Sequence, residues 1–254
     1  MKLQPIDHSV LGRLVPDQWG RNLICFRQIS GWNVFAPDDV SRQSSLLSPS
    51  ERKLVESWNT SPEKLVPRCR DSGIHASLRG LGVFEISYGN LPTAEQVAAW
   101  QYFHSNESQI CSNVWNVLLR YYQLERTRDP DWFDQCDCPE LGTVAELGPL
   151  ATLDGVSFSN QSCEGLSIMR LSWDVDWDME HGLSIFVWKD QVIGMNLESE
   201  SDILISKLCE AYAWNSSNMT PLELEYQDRV RQALLSQRQG EDFASEFSDT
   251  DERD

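Results

Sequence analysis

Basic residues are scarce in this chain. Its 254 residues hold 21 lysines and arginines against 39 aspartates and glutamates, for a net charge of −18. A surface of that sign repels a phosphate backbone, so nucleic-acid binding is excluded as a leading function. No run of 18 apolar residues occurs, which leaves no predicted transmembrane helix. The first ten residues show neither a basic start nor a long apolar stretch, so no secretory signal is expected. A glycine-rich phosphate loop is also missing, because the G-x-G at Gly80 and Gly82 has no third glycine and no helix start behind it. There is no G-x-S-x-G elbow to present a nucleophilic serine. Nucleotide binding and serine hydrolysis thereby lose their usual signatures.

What is present describes a packed body with an acidic end. Apolar residues make up 41% of the chain and ten are tryptophan, enough to bury a core rather than stay disordered. Seven of the 14 residues in 241–254 are acidic and one is basic, so this tail carries −6 and the rest of the chain −12. The seven cysteines are odd in number and scattered, which points to free thiols in a reducing cytoplasm. Cys136-Asp137-Cys138 lacks the second Cys/His pair that a zinc site needs.

Local signals divide the chain into strands and capped helices. Residues 11–36 hold G-R-L-V, L-I-C-F and W-N-V-F-A, which predict a three-stranded meander. Ser48-Pro49-Ser50-Glu51 is a capping box, and the helix it starts would bury Leu54, Val55 and Trp58. Residues 59–72 read as a loop, and 76–88 as one or two strands, with Gly80 and Gly82 marking a bulge or bend. Thr93-Ala94-Glu95-Gln96 starts a helix with Val97, Trp100 and Phe103 on it. A second, starting near Asn106, aligns Ile110, Val114, Val117, Leu118 and Tyr121. Residues 125–150 read as an extended loop with one helical turn at 131–133. Strands are predicted at 150–158, with a turn at Asp154-Gly155, and at 166–173, 183–188 and 192–195. The last three form an antiparallel ribbon closed by Lys189-Asp190-Gln191. A helix at 202–212 follows, and another over 216–240 starts at Thr220-Pro221-Leu222-Glu223.

The densest chemistry lies between the first two strands of that ribbon. Asp174, Asp176, Asp178, Glu180 and His181, one of four histidines, crowd together beside Trp173 and Trp177. The spacing of the aspartates opens like an EF-hand, but Met179 stands where glycine is required and Ile185 where the bidentate glutamate belongs. A looser cation site could use Asp174, Asp176, Asp178 and His181, since clustered carboxylates repel one another without a counter-charge. Acid–base work by Glu180 and His181 is disfavoured, because neighbours on an extended chain face opposite ways. The plainer account is architectural. Asp178 or Glu180 accepts backbone N–H groups to fix the turn, His181 packs under Trp173 or Trp188, and Gly182 allows the bend.

The segment W-D-M-E-H-G-L-S-I, residues 177–185, resembles the W-D-x-E-H-G-L-x-[IV] signature of a bacterial domain family of unknown function. Gln191-Val192-Ile193-Gly194 and the earlier Pro92-Thr93-Ala94-Glu95-Gln96 are similar in order to that family's pattern. Ser184 departs from it where glycine is expected. The resemblance spans about residues 80–196 and implies no settled reaction. It implies that Trp177, Asp178, Glu180 and His181 belong to a shared fold feature or binding site, and that immunity-type inhibitors occur among the relatives.

These readings combine into an α+β chain: an antiparallel sheet with helices packed on one side, then a C-terminal helix and a disordered acidic tail. One domain is expected over 1–215, the helix over 216–240 and the tail over 241–254. The leading function is a non-catalytic cytoplasmic protein-binding domain, an immunity-type inhibitor of a basic partner, with no cofactor, nucleic acid or membrane. The alternative is a metal-dependent, hydrolase-like enzyme built on the 174–181 loop with a divalent cation.

Overall fold

The computed structural model describes residues 3–29, 32, 47–68, 74, 77–78, 83–88 and 91–197. Eight strands form one sheet in sequence order: β1 (Ile6–His8), β2 (Gly12–Pro16), β3 (Leu23–Gln28), β4 (Val83–Ser87), β5 (Ala151–Cys163), β6 (Leu166–Val175), β7 (Leu183–Trp188) and β8 (Gln191–Leu197). Every neighbouring pair is antiparallel except β4 and β5, which run parallel through Ile86↔Val156 and Ser87↔Ser157. The α+β class and the antiparallel ribbon therefore hold. β7 occupies the residues its pattern predicts, and all six are buried.

The helices start where their caps say they should. Helix α1 (Pro49–Glu56) opens with the Ser48/Glu51 capping box and buries Val55. A short α2 (Pro62–Leu65) and a 3-10 turn over Val66–Arg68 then occupy the stretch read as a loop. Proline at the first helical position, with Leu65 and Val66 to bury, outweighs the breaker signal that two prolines give.

Helix α3 (Ala94–Arg128) joins the two predicted helices into one element and breaks its helical geometry at Asn106 (φ −122°, ψ 17°). There the Asn106 amide donates to the Tyr102 carbonyl at 2.8 Å, so a side chain competes with the helix's own bonding. The second half then continues past residue 125, and α4 (Pro130–Gln135), α5 (Val144–Leu147) and a 3-10 turn follow. The predicted extended loop is thus largely helical. One missed signal is local: Thr143-Val144-Ala145-Glu146 is a capping box, with Thr143 Oγ1 accepting from the Glu146 N–H.

Alternation in β3 separates two cores. Leu23 and Cys25 join a large cluster under α3, with Trp100, Phe103, Val114, Trp115 and Trp173. Ile24 and Phe26 point the other way, into a smaller cluster with Val55, Leu65 and Val66 from α1 and its neighbours. The α3 helix lies across β5, β6 and β8. Gln96 pins its start to the sheet. Fully buried, it donates to the carbonyls of Phe158 (2.8 Å) and Tyr88 (3.2 Å), where the parallel pair ends.

Asp154 and Gly155 do not turn the chain. Leu153 pairs with Trp173 and Gly155 with Ser172, so Asp154 is an extra residue in a bulge within one continuous β5. The bulge shifts the phase, keeping Val156 and Phe158 on the buried face that Ala151 and Leu153 began. The real turns lie further on. Glu164 (φ +49°) and Gly165 (φ +75°) close β5 onto β6, and Lys189 (φ +58°) turns β7 into β8. Lys189 Nζ pairs with Glu164 at 2.6 Å and fastens those two turns together.

Strand β1 adds a hairpin that the sequence pattern did not indicate, and β2 and β3 confirm two of the three meander strands. Of the third, only Trp32 is described, within the main core. Gly80, Gly82, the helices at 202–212 and 216–240 and the acidic tail lie outside the described residues. Among those described, no helix is long and apolar enough to cross a membrane.

Candidate functional site

The loop from β6 to β7 is a set of tight turns, not an extended segment. Asp178 N–H donates to the Val175 carbonyl at 3.2 Å, and Gly182 N–H to the Asp178 carbonyl at 3.0 Å. The Asp178 carboxylate accepts from the His181 backbone N–H at 3.2 Å and lies 2.9 Å from His181 Nδ1. An aspartate that caps its own turn in this way gives the backbone a local partner where the sheet offers none. Gly182 then takes φ +65°, and a Cβ there would stand 2.7 Å from the Trp173 carbonyl oxygen. Asp178 and Gly182 therefore shape the turn itself.

His181 differs from expectation. It does not pack under a tryptophan, and its side chain is 49% exposed. Trp173 lies in the core against Trp115, with ring centroids 4.9 Å apart and near-perpendicular planes. The contact with Asp178 engages Nδ1, one of the two ring nitrogens of His181. Glu180 and Met179 are exposed beside it, Met179 at 83%.

Trp177 is the anchor of the loop. It is buried edge-on against Tyr122 of α3 (4.9 Å) and stacked on Phe133 of α4 (6.3 Å, 17°). Its carbonyl accepts the Trp132 indole N–H at 2.7 Å. These contacts join two acidic stretches 45 residues apart. Asp129, Asp131, Asp134, Asp137 and Glu140 come from one; Asp174, Asp176, Asp178 and Glu180 come from the other. Neither stretch contains a lysine or arginine. Arg126, at the end of α3, offsets part of this by pairing with Asp134 at 2.7 Å and donating to the Cys138 carbonyl at 2.6 Å. Tyr121 feels the field. Burial first, then the charges of Glu125 and Asp178, push its phenol well above the usual tyrosine range.

A family model described as a domain of unknown function, DUF6985, matches residues 57–200, more than half of the chain. The chain belongs to the DUF6985 family. No curated protein and no solved structure matches it. The DUF6985 match takes in α3, the parallel crossover, the ribbon and the loop, but omits β1 to β3, which belong to the same sheet. Ser184, the departure noted in the signature, is fully buried, and its hydroxyl accepts from Arg170 Nε at 2.9 Å.

The proposed metal ligands are only partly brought together. Asp178 and His181 touch, while Asp174 lies one residue before the end of β6 and Asp176 just after it, both exposed. Among the described residues, no three His, Cys, Asp or Glu side chains gather as a metal ion would need. Sequence reasoning missed Trp132, exposed at 48%, whose surface position depends on a contact with a residue far along the chain.

Proposed function

We propose that this DUF6985 domain is a non-catalytic, cytoplasmic protein-binding module whose acidic surface, from residues 129–140 and 174–180, takes a basic partner, as an immunity-type inhibitor would. The observation that carries this reading is the exposure of two large apolar side chains, Trp132 and Met179, on two acidic stretches that the Trp132–Trp177 contact joins. Tryptophan and methionine are enriched in interface centres, where they supply contact area, while surrounding charges set orientation and partner choice. A net charge of −18 steers a basic partner toward the domain and makes the encounter sensitive to salt.

The test is affinity capture from the native host at low ionic strength, with the full chain as bait. A specific protein should be retained, should elute as salt rises, and should be lost with a Trp132→Ala/Met179→Ala bait. Identical proteins on both baits and on blank matrix would end the proposal. The rival reading is a metal-dependent, hydrolase-like enzyme, favoured by one feature, the Asp178–His181 contact. It requires a divalent cation to raise the melting midpoint of the wild type and not of Asp176→Ala or His181→Ala.

A further inference from the structure

Beside the acidic loop, two nucleophilic side chains stand on one turn of backbone. Cys136 and Cys138 are both free thiols, the first half-buried and the second buried. Asp137 between them holds φ +55° and closes α4 in a left-handed cap. Its N–H donates to the Asp134 carbonyl at 3.3 Å, and the Cys138 N–H to the Phe133 carbonyl at 2.9 Å, the bonding of a Schellman motif. Aspartate fills the position where glycine is usual, and Cys138 takes the apolar position that packs back on the helix. Cys138 Sγ lies 3.5 Å from the Cys136 carbonyl oxygen, so the thiol is turned back toward its neighbour. A left-handed residue mirrors a helical one and sets the Cα atoms on either side about 5.4 Å apart. A disulfide spans about 4.4–6.8 Å.

We infer that Cys136 and Cys138 form a dithiol oxidation site, which a hydroperoxide closes to a disulfide, and that the closed turn is felt in the acidic loop through Trp132. Cys136, the more accessible thiol, loses its proton and attacks a peroxide oxygen. The O–O bond breaks, a sulfenic acid forms, and the departing hydroxide takes up that proton as water. The Cys138 sulfur then attacks the sulfenic sulfur, the S–S bond forms, and the S–OH oxygen leaves as water with the Cys138 proton. Two thiols lose two electrons and two protons, and hydrogen peroxide becomes two waters. Burial pushes the Cys138 thiol up to about 11, with Cys136 and Asp176 adding to the rise, which leaves the more accessible Cys136 to meet the peroxide first. A ring closed across a single residue is strained, so the bond is readily reduced and the site reversible.

The path to the loop is short. Cys136 N–H donates to the Trp132 carbonyl at 3.1 Å, and the Trp132 indole donates to the Trp177 carbonyl at 2.7 Å. If the acidic surface of residues 129–140 and 174–180 is the docking surface proposed above, oxidation regulates it; the thiol chemistry itself does not rest on that reading.

The full-length protein is reduced, desalted and treated with hydrogen peroxide. Remaining thiols are blocked with maleimide and the peptides mapped by mass. The peptide spanning residues 136–138 should be lighter by two hydrogens, carry no maleimide, and recover both thiols after reduction. Cys136→Ser and Cys138→Ser should lose this product, and Cys111→Ser should keep it. Oxidation should also change tryptophan fluorescence in the wild type and not in Trp132→Phe. Maleimide on both cysteines after peroxide, or a bridge from either to another cysteine, overturns the site. A mapped disulfide with no Trp132-dependent change overturns the link to the loop. Capture by reduced and oxidised bait separates the two proposals: a disulfide without any partner sinks the docking reading alone, and a partner without any disulfide sinks the oxidation site alone.

Discussion

Gly182→Ala is the sharpest test of what the E-H-G segment is for. The native residue sits at φ +65°, a conformation that costs an L side chain roughly 1–2 kcal/mol. Space adds a second penalty, because the new methyl carbon would lie 2.7 Å from the Trp173 carbonyl oxygen, on a strand held in register with Leu183. Forcing an extra methyl into a packed site typically costs about 1–3 kcal/mol. The expected loss is therefore about 2–5 kcal/mol, or roughly 10 °C in melting midpoint for a chain of this size. Gly165 provides the control. It has φ +75° with nothing within 4 Å of its added Cβ, so Gly165→Ala carries the conformational cost alone. Urea denaturation of wild type and both variants measures each loss, with an unchanged slope confirming a common folded state. The steric share is the difference between the two variants, about 1–3 kcal/mol. Equal losses would refute the close approach to Trp173, and the glycine would then need an explanation in binding.

Other consequences are open to simpler assays. Trp177→Ala empties the space between Tyr122 and Phe133 and should cost about 3–5 kcal/mol, while Met179→Ala, on the same loop, should stay within about 0.5 kcal/mol; similar midpoints for both would contradict the anchoring role of Trp177. A chain cut to residues 57–200 loses the strand that pairs with β4 through five residues, together with Leu14, Leu23 and Cys25 of the main core. It should show no cooperative melt, and a sharp transition with native near-ultraviolet dichroism would show that the family segment folds alone. The Glu146 carboxyl is held below the ordinary glutamate range, first by the Gly142 N–H and then by the Thr143 hydroxyl and N–H. A depressed folded value means that its contribution is present above the unfolded pKa and is lost as pH falls through the folded one. Glu146→Gln should therefore weaken the protein at pH 7 and flatten its stability profile below about pH 4.5, as unfolding at each pH would reveal.

Local chemistry determined much of this protein from the sequence alone. Capping boxes at Ser48 and Thr93 fixed where two helices begin, because each satisfies orphan N–H groups with side chains only three residues away. The apolar run over 183–188 could only be a buried strand, and Asn106 marked the break in α3. The aspartates and glycine of the loop were legible as turn chemistry for the same reason, since Asp178 and Gly182 act on their own backbone. Tertiary structure decided the rest. Asp154-Gly155 has the composition of a turn, yet pairing across to Trp173 and Ser172 makes it a bulge that keeps Phe158 in the core. The parallel contact of β4 with β5, the alignment of Trp132 with the Trp177 carbonyl and the meeting of two acidic stretches all join residues far apart in the chain. Local propensity carries no information about such meetings. They follow from which apolar faces can be buried together, and the same loop buries Trp177 while leaving His181 half exposed.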